Sequence, residues 1–272
     1  MKPVIGIVGG TGKTGLQFAK FFKNKGYDVY ISHYKLDKAK KIANQNDLKA
    51  LTNEDLMKNC NIVFFSVQIS KTAEAIRKLA PLAKPGTLIS DFTSLKEMPI
   101  DAMLKYSKTG VDVIGLHPMF GPSVAVKGEN IAVVPARGKK FLPWVKQVFA
   151  RSNLIFTTAK EHDKLMSIVQ CLVHFPSIAT AMTLKKLRVD LKRAEKFSTP
   201  LYRARMETIK RILSQDPGLY GDIEMLNKNS KRVIDAFLKS SNQLGKSIKQ
   251  KDMAKFTKIY EETKKYISQF QK

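Results

Sequence analysis

Three short segments of this 272-residue chain place reactive or anion-binding residue types at fixed spacing. The first is Gly9-Gly10-Thr11-Gly12-Lys13-Thr14-Gly15, in which Gly10, Gly12 and Gly15 fit G-x-G-x-x-G. An apolar run, residues 4–8, precedes it and an amphipathic stretch, residues 16–25, follows, so the glycines join a strand to a helix. In that context Gly10 permits a tight turn, Gly12 lets backbone approach a pyrophosphate, and Gly15 lets helix pack on strand. Gly10, Thr11, Gly12, Lys13, Thr14 and Gly15 are therefore expected to cradle a dinucleotide, its phosphates capping the helix N-terminus. Gly12-Lys13-Thr14 also matches the end of a triphosphate-binding P-loop. That motif needs a glycine at position 7, which is Ile7, so the P-loop reading fails on spacing.

The second expected strand, residues 28–32, decides which dinucleotide. An NAD site places an acid about 20 residues past the turn, on the ribose 2′-hydroxyl. Here the chain reads Ile31-Ser32-His33-Tyr34-Lys35, with no acid. Ser32, His33 and Lys35 can donate to a 2′-phosphate, so NADP is the expected cofactor and NAD the second choice. The bland alternative makes them ordinary loop residues.

The other two segments are Asp91-Phe92-Thr93-Ser94-Leu95-Lys96 and Leu116-His117-Pro118-Met119-Phe120-Gly121-Pro122. Each ends an expected strand, where a doubly wound sheet builds its active site. A histidine followed by a turn bracketed by proline and glycine is held in one place. On its residues alone, His117 serves equally as a fixed base or as a structural ring. His174, in the apolar run 172–175, reads first as a core residue. Cys60 and Cys171 sit singly in apolar segments, as buried thiols of a reducing cytoplasm do. No Cys/His cluster has metal-ligand spacing.

These segments require a scaffold, and the hydrophobic pattern supplies one. Expected strands at residues 4–8, 28–32, 62–67, 87–91, 111–116, 131–134 and 154–156 are nearly continuous in hydrophobicity, as parallel strands buried on both faces are. Amphipathic stretches such as 16–25, 71–79 and 141–149 alternate with them, which predicts an α/β, Rossmann-type doubly wound and mostly parallel sheet. From about Thr158 onward the period is helical, over 160–187 with a kink expected at Pro176, then 201–213, 230–249 and 252–270. The expected domains are thus a dinucleotide-binding one, 1–158, and an all-α one, 159–272.

Composition is that of a globular protein, 43% hydrophobic and 26% charged. No stretch approaches the ~20 consecutive apolar residues of a spanning helix, so no membrane is expected. The net charge of +25 is spread along the chain, with an excess of 14 in residues 1–160 and 11 in residues 161–272. A nucleic-acid module would cluster its cations with aromatics between them; this chain does not, so specific nucleic-acid binding is not expected.

His117-Pro118-Met119-Phe120-Gly121-Pro122 resembles the signature of the prephenate/arogenate dehydrogenase (TyrA) family, and Asp91–Lys96 resembles that family's Asp-x-Thr-Ser-x-Lys segment. Further matches follow in family order: Glu161-His162-Asp163, His174-Phe175, Ser198-Thr199-Pro200-Leu201-Tyr202-Arg203, Arg211, and Gln215-Asp216-Pro217-Gly218-Leu219-Tyr220. The resemblance implies oxidative decarboxylation of prephenate, or of arogenate, by a homodimer. It implies that His117 is base for the substrate hydroxyl and that Ser94 connects it to the nicotinamide. Arg211, with Arg203 as second candidate, would grip the substrate side-chain carboxylate, and His174 and Lys96 would line the substrate site. His162 reads as a cap or interdomain contact. Other dehydrogenases with a Rossmann half and a helical half, acting on hydroxyacids or deazaflavins, would explain the glycines but not the His117 and Arg203–Tyr220 segments together.

Overall fold

A computed structural model describes residues 2–270; the outer limits of the two expected domains, Met1 and Lys272, lie outside them. The described residues form eight strands: β1 Ile5–Val8, β2 Val29–Ser32, β3 Lys49–Ala50, β4 Ile62–Phe65, β5 Leu88–Asp91, β6 Asp112–Pro118, β7 Asn130–Arg137 and β8 Asn153–Phe156. The helices between them are α1 Lys13–Asn24, α2 Leu36–Gln45, α3 Asn53–Asn59, α4 Ile69–Leu79, α5 Glu97–Tyr106 and α6 Leu142–Val148. After β8 come α7 Ala159–Met166, α8 Leu172–Lys186, α9 Leu191–Lys196, α10 Pro200–Leu213, α11 Pro217–Leu226, α12 Ser230–Lys249 and α13 Met253–Ser268.

All strands share one sheet in the order β3-β2-β1-β4-β5-β6-β7-β8. Every pair is parallel except β6–β7. The exception follows from the connection. Residues 119–129 contain no helix to carry the chain back to the starting edge, so β7 can pair with β6 only by reversing. The reversal of strand order beside β1 opens a crevice at the carboxyl ends of β1 and β4, the ligand position of such sheets.

Alternation along each strand feeds two cores. Ile5, Ile7, Ile62, Phe64, Leu88 and Leu116 pack on one face with α1 residues Phe18 and Phe22. Val8, Val63, Phe65, Ile89 and Val113 pack on the other with Leu56, Ile76 and Met103. This double burial is why the strands read as continuous apolar runs. On the first face Phe18, Phe92, Phe64 and Phe22 stack in series, with ring centroids 4.2, 4.5 and 5.3 Å apart. The stack anchors Phe92, and with it the segment that leaves β5 for the site.

Contacts divide the chain into two units. One holds the residues up to Met166 together with Gln215–Asn227; the other holds Ser167–Ser214 and the residues from Lys228 on. Helix α11 therefore belongs with the sheet. Its Asp222 accepts the Ser70 N–H at the start of α4 (2.9 Å), and its Ile223 packs on Ile69 and Leu95.

Helices α7 and α8 are one continuous run, Ala159–Lys186, broken in geometry by a π-helical turn at Ser167–Cys171. Pro176, where a kink was expected, lies inside α8, and the π-helical turn lies upstream of it. Proline has no N–H to return to the preceding turn. Nearby, the Ser177 hydroxyl donates to Val173 O (2.6 Å) and Thr180 to Pro176 O (2.7 Å). The same run corrects the expectation that no stretch approaches a membrane span. It is long and apolar enough to cross one by length and composition, with mean hydropathy 1.5 over its most apolar window. Small polar residues interrupt the apolar ones, but no charge lies between Lys164 and Lys185. Only 22% of that window is buried within the chain.

Candidate active site

The phosphate cradle is built by what the glycines lack. Gly9 takes φ +76, the left-handed conformation, and a side chain there would strike Ser66 O at 2.5 Å. The tight turn thus falls on Gly9, one residue before its expected place at Gly10. Gly10 is required for space, since its Cβ would lie 2.6 Å from Ile31 Cγ2. Gly15 presses on the turn itself, 2.8 Å from Gly10 Cα. Gly12 differs from all three: a Cβ there would meet only Gly9 O at 3.4 Å and otherwise faces open space. Behind it α1 begins with no side-chain cap and no acid in its first turn. A helix start with unshared N–H groups and an open approach fits a dinucleotide pyrophosphate.

At the end of β2, His33 is half-buried and Tyr34 and Lys35 are exposed. His33 Nδ1 accepts the Lys35 N–H (3.0 Å), and burial followed by Lys38 lowers the His33 pKa. Ser32 is a correction. Both faces of β2 are covered, so Ser32 is fully buried, as Ile31 beside it is, and its hydroxyl is not presented to a phosphate at the surface.

The second group of residues gathers where β5 and β6 end. Asp91 and Lys96 are both fully buried and form an ion pair. Lys96 Nζ also donates to Leu116 O (2.8 Å), the carbonyl just before His117. Asp91 further accepts the Thr93 backbone N–H (3.0 Å) and hydroxyl, while Thr93 Oγ1 contacts Leu95 O (2.7 Å). Lys96 therefore braces the turn against β6, fully buried, with its ammonium group committed to Asp91 and Leu116 O where a substrate-lining position was expected. Gly115 makes room for the arrangement, because a Cβ there would meet Ile100 at 2.9 Å and the Lys96 stem at 3.1 Å.

His117 is 3% exposed. Its Nδ1 lies 2.9 Å from Nε2 of His162, whose own Nδ1 lies 2.7 Å from Asp163 Oδ1. Burial, then His162 and Lys96, hold the His117 imidazole well below the usual histidine range, so it is neutral near pH 7. Asp163 in turn accepts the N–H groups of Lys96 (2.7 Å) and Glu97 (2.9 Å), the uncapped start of α5. Asn227, just past α11, donates to the Asp163 carbonyl (2.8 Å). Sequence reasoning gave His162 the role of a cap or interdomain contact and missed this. The signal was its neighbour Asp163, an acid placed to fix an imidazole at a helix start. Ser94 is half-buried in the same turn, and no hydrogen bond joins it to His117, whose Nδ1 is taken by His162.

The remaining expected residues belong to the second unit. His174 lies half-buried on α8. Arg203 and Arg211 are exposed on α10, slightly over two turns apart, and Arg203 Nη1 donates to Ser198 O (3.1 Å). A cavity of about 550 Å3 in this unit is lined by apolar Leu184, Val189, Ile209 and Leu213 with Lys185 and Arg188, and includes none of the three.

Comparison with known proteins agrees over both units. Residues 18–134 match the nucleotide-binding domain of prephenate dehydrogenase, and residues 158–262 match its dimerization domain. A Methanocaldococcus jannaschii protein named "Probable arogenate/prephenate dehydrogenase" is 35% identical over 97% of this chain, which spans 60% of that relative's length. The T-protein of Enterobacter agglomerans is 31% identical over 95% of this chain and 67% of its own. Among solved structures, prephenate dehydrogenase of Aquifex aeolicus in complex with hydroxyphenyl propionate and NAD+ superposes with a TM-score of 0.79 at 22% identity, covering 99% of each chain. The chain belongs to the prephenate/arogenate dehydrogenase family.

Proposed function

We propose that this chain catalyses NADP-dependent oxidative decarboxylation of prephenate to 4-hydroxyphenylpyruvate, in cytoplasmic tyrosine biosynthesis. The observation that carries the reading is His117, a buried imidazole held neutral on the sheet edge where α1 offers an uncapped N-terminus. The turn Gly10–Gly15 would hold the cofactor pyrophosphate, and His33 and Lys35 the ribose 2′-phosphate. Bound there, the nicotinamide supplies a hydride acceptor.

The protein's own part is proton handling and orientation. As C4 of the substrate gives up its hydrogen with the bonding pair, the C4 hydroxyl passes its proton to His117. The ring carboxylate leaves as CO2 and its electron pair enters the ring, which becomes aromatic. His117 returns the proton to the phenolate oxygen and ends neutral, as it began. Ser94 orients the reacting groups, while Arg211, with Arg203, grips the side-chain carboxylate through paired hydrogen bonds. His174 is assigned to substrate binding as well. In this reading residues 1–158 bind the dinucleotide, and residues 159–272 bind substrate and pair two copies. The match to a dimerization domain and the outward apolar face of Ala159–Lys186 support the homodimer.

The test is formation of reduced cofactor from prephenate with NADP or NAD, beside a His117→Asn control. Rapid reduction of NADP, lost in the variant, supports the whole reading. Preference for NAD removes only the cofactor assignment. Turnover of arogenate in place of prephenate changes the substrate, and the name of the Methanocaldococcus relative carries both. No turnover with either substrate overturns the proposal.

A further inference from the structure

His117 has two ring nitrogens, and a base must present a bare one. Which is bare is decided by the groups lined up behind the ring. Both carboxyl oxygens of Asp163 already accept backbone N–H groups, from Lys96 and Glu97. Asp163 can therefore meet His162 only as an acceptor, and the proton between them sits on His162 Nδ1. A neutral His162 then has its lone pair on Nε2, 2.9 Å from His117 Nδ1. His117 must donate at that contact, so its own Nδ1 carries the proton and its Nε2 is bare.

We infer that His162 and Asp163 are positioning residues that fix His117 as the Nδ1-protonated tautomer and so select Nε2 as the base. This rests on the function proposed above and adds to it the path of the charge. When Nε2 takes the substrate hydroxyl proton, the Nδ1 proton can pass to His162 Nε2. The positive charge then lies on His162, in contact with the Asp163 carboxylate, and reverses the path when the proton is returned. All three residues are buried, at 3%, 2% and 5% exposure, which keeps solvent from short-circuiting the relay. The titratable and charged groups facing His117 are His162 and Asp163 from α7, and Lys96, itself paired with Asp91, from the turn after β5. Lys96 has only donors and is taken up by Asp91 and Leu116 O, so it does not compete for Nδ1.

The test is nitrogen NMR of the free protein labelled at its four histidines, assigned with single variants. His117 is expected to show a protonated Nδ1 and a bare Nε2 in the native chain. His162→Gln should keep that pattern, because the amide carbonyl accepts from Nδ1 while the amide N–H donates to Asp163. His162→Leu should lose it and give a tautomer mixture, with cofactor affinity retained as the check on folding. In turnover, His162→Leu should lower kcat about 100-fold with little change in KM, and His162→Gln should recover only about tenfold of that loss, because the amide fixes the tautomer but cannot take the relayed proton. The acid limb of the rate profile should move up in His162→Leu, but only in part, because burial, the largest cause of the lowered His117 pKa, and Lys96 both remain. A native His117 protonated at Nε2, or a pattern unchanged in His162→Leu, overturns the relay. Because the spectrum needs no substrate, absence of dehydrogenase activity would sink the functional reading and leave this result standing.

Discussion

Two ends of parallel strands on the same edge of the sheet are built in opposite ways. Where β5 and β6 end, Asp91, Lys96, His117 and His162 are each at most 3% exposed, and each is bonded to another member of the group or to backbone. Where β2 ends, Tyr34 is 79% exposed, and His33 bonds only within its own turn. A desolvated network holds a reacting group in one protonation state, but no member can change alone without stranding another. An exposed turn fixes little and can be exchanged cheaply. The proposed chemistry is thus rigid where the proposed cofactor preference is adaptable.

The comparison breaks first at His117. His117→Asn should cost ~10²–10⁴ in kcat while cofactor affinity holds, because the proton acceptor is removed from a site that otherwise stays packed. If stopped-flow single turnover shows less than a tenfold loss, the buried end is not where the proton goes. Lys96→Met should then cost ~3–5 kcal/mol in urea unfolding, since it leaves Asp91 charged and buried. The double variant Asp91→Leu with Lys96→Met should recover much of that loss, as removing a whole buried pair is often neutral.

The cradle allows a sharper contrast between adjacent glycines. Gly15→Ala must displace the backbone of Gly10 and should lower stability by ~1–3 kcal/mol. Gly12→Ala has room, so the thermal midpoint should hold while cofactor affinity falls about tenfold by calorimetry, the cost of one weakened charged hydrogen bond. At the exposed end, His33→Ala with Lys35→Ala should shift the NADP-to-NAD preference about tenfold toward NAD, with stability within ~0.5 kcal/mol of the parent.

The smallest effect is in pH. Because the His117 pKa is depressed, the imidazole stays neutral below pH 6.5, and activity should persist there and fall only near the lowered value. Stability moves in the same window. As pH drops below about 6.5 the unfolded chain takes up a proton the native His117 refuses, so stability is fullest above that pH and declines below it. An acid limb at or above 6.5 in the native enzyme would mean that His117 is solvated in the working state.

How legible this was in the sequence depended on the range of the interactions. The strands and the glycine turn were readable because double burial and backbone clearance act on neighbouring residues. The two-residue β3 carries too little pattern to see, and Gly9 was passed over because the motif assigns its first role to Gly10. His162 was undervalued because its partner is 45 residues away, a pairing that only the order of β6 and α7 in space creates. Lys96 and Ser32 were placed at binding surfaces by type, whereas their strand and turn positions bury them. No local signal returns α11 to the sheet unit, since Asp222, Ile223 and Asn227 meet partners more than 60 residues earlier.

That return has a consequence for how the molecule is made. A ribosome delivers α7 well before α11, and the whole of Ser167–Ser214 emerges between them. Until Asn227 is out, the Asp163 carbonyl lacks the Asn227 amide, the start of α4 lacks Asp222, and Ile69 and Leu95 lack Ile223. The sheet can assemble early, but the nascent chain carries an unfinished seam beside its histidines while part of another unit is being synthesised. Ribosome-bound chains stopped before α11 should therefore be cut readily near residue 70, and chains released after Asn227 should resist.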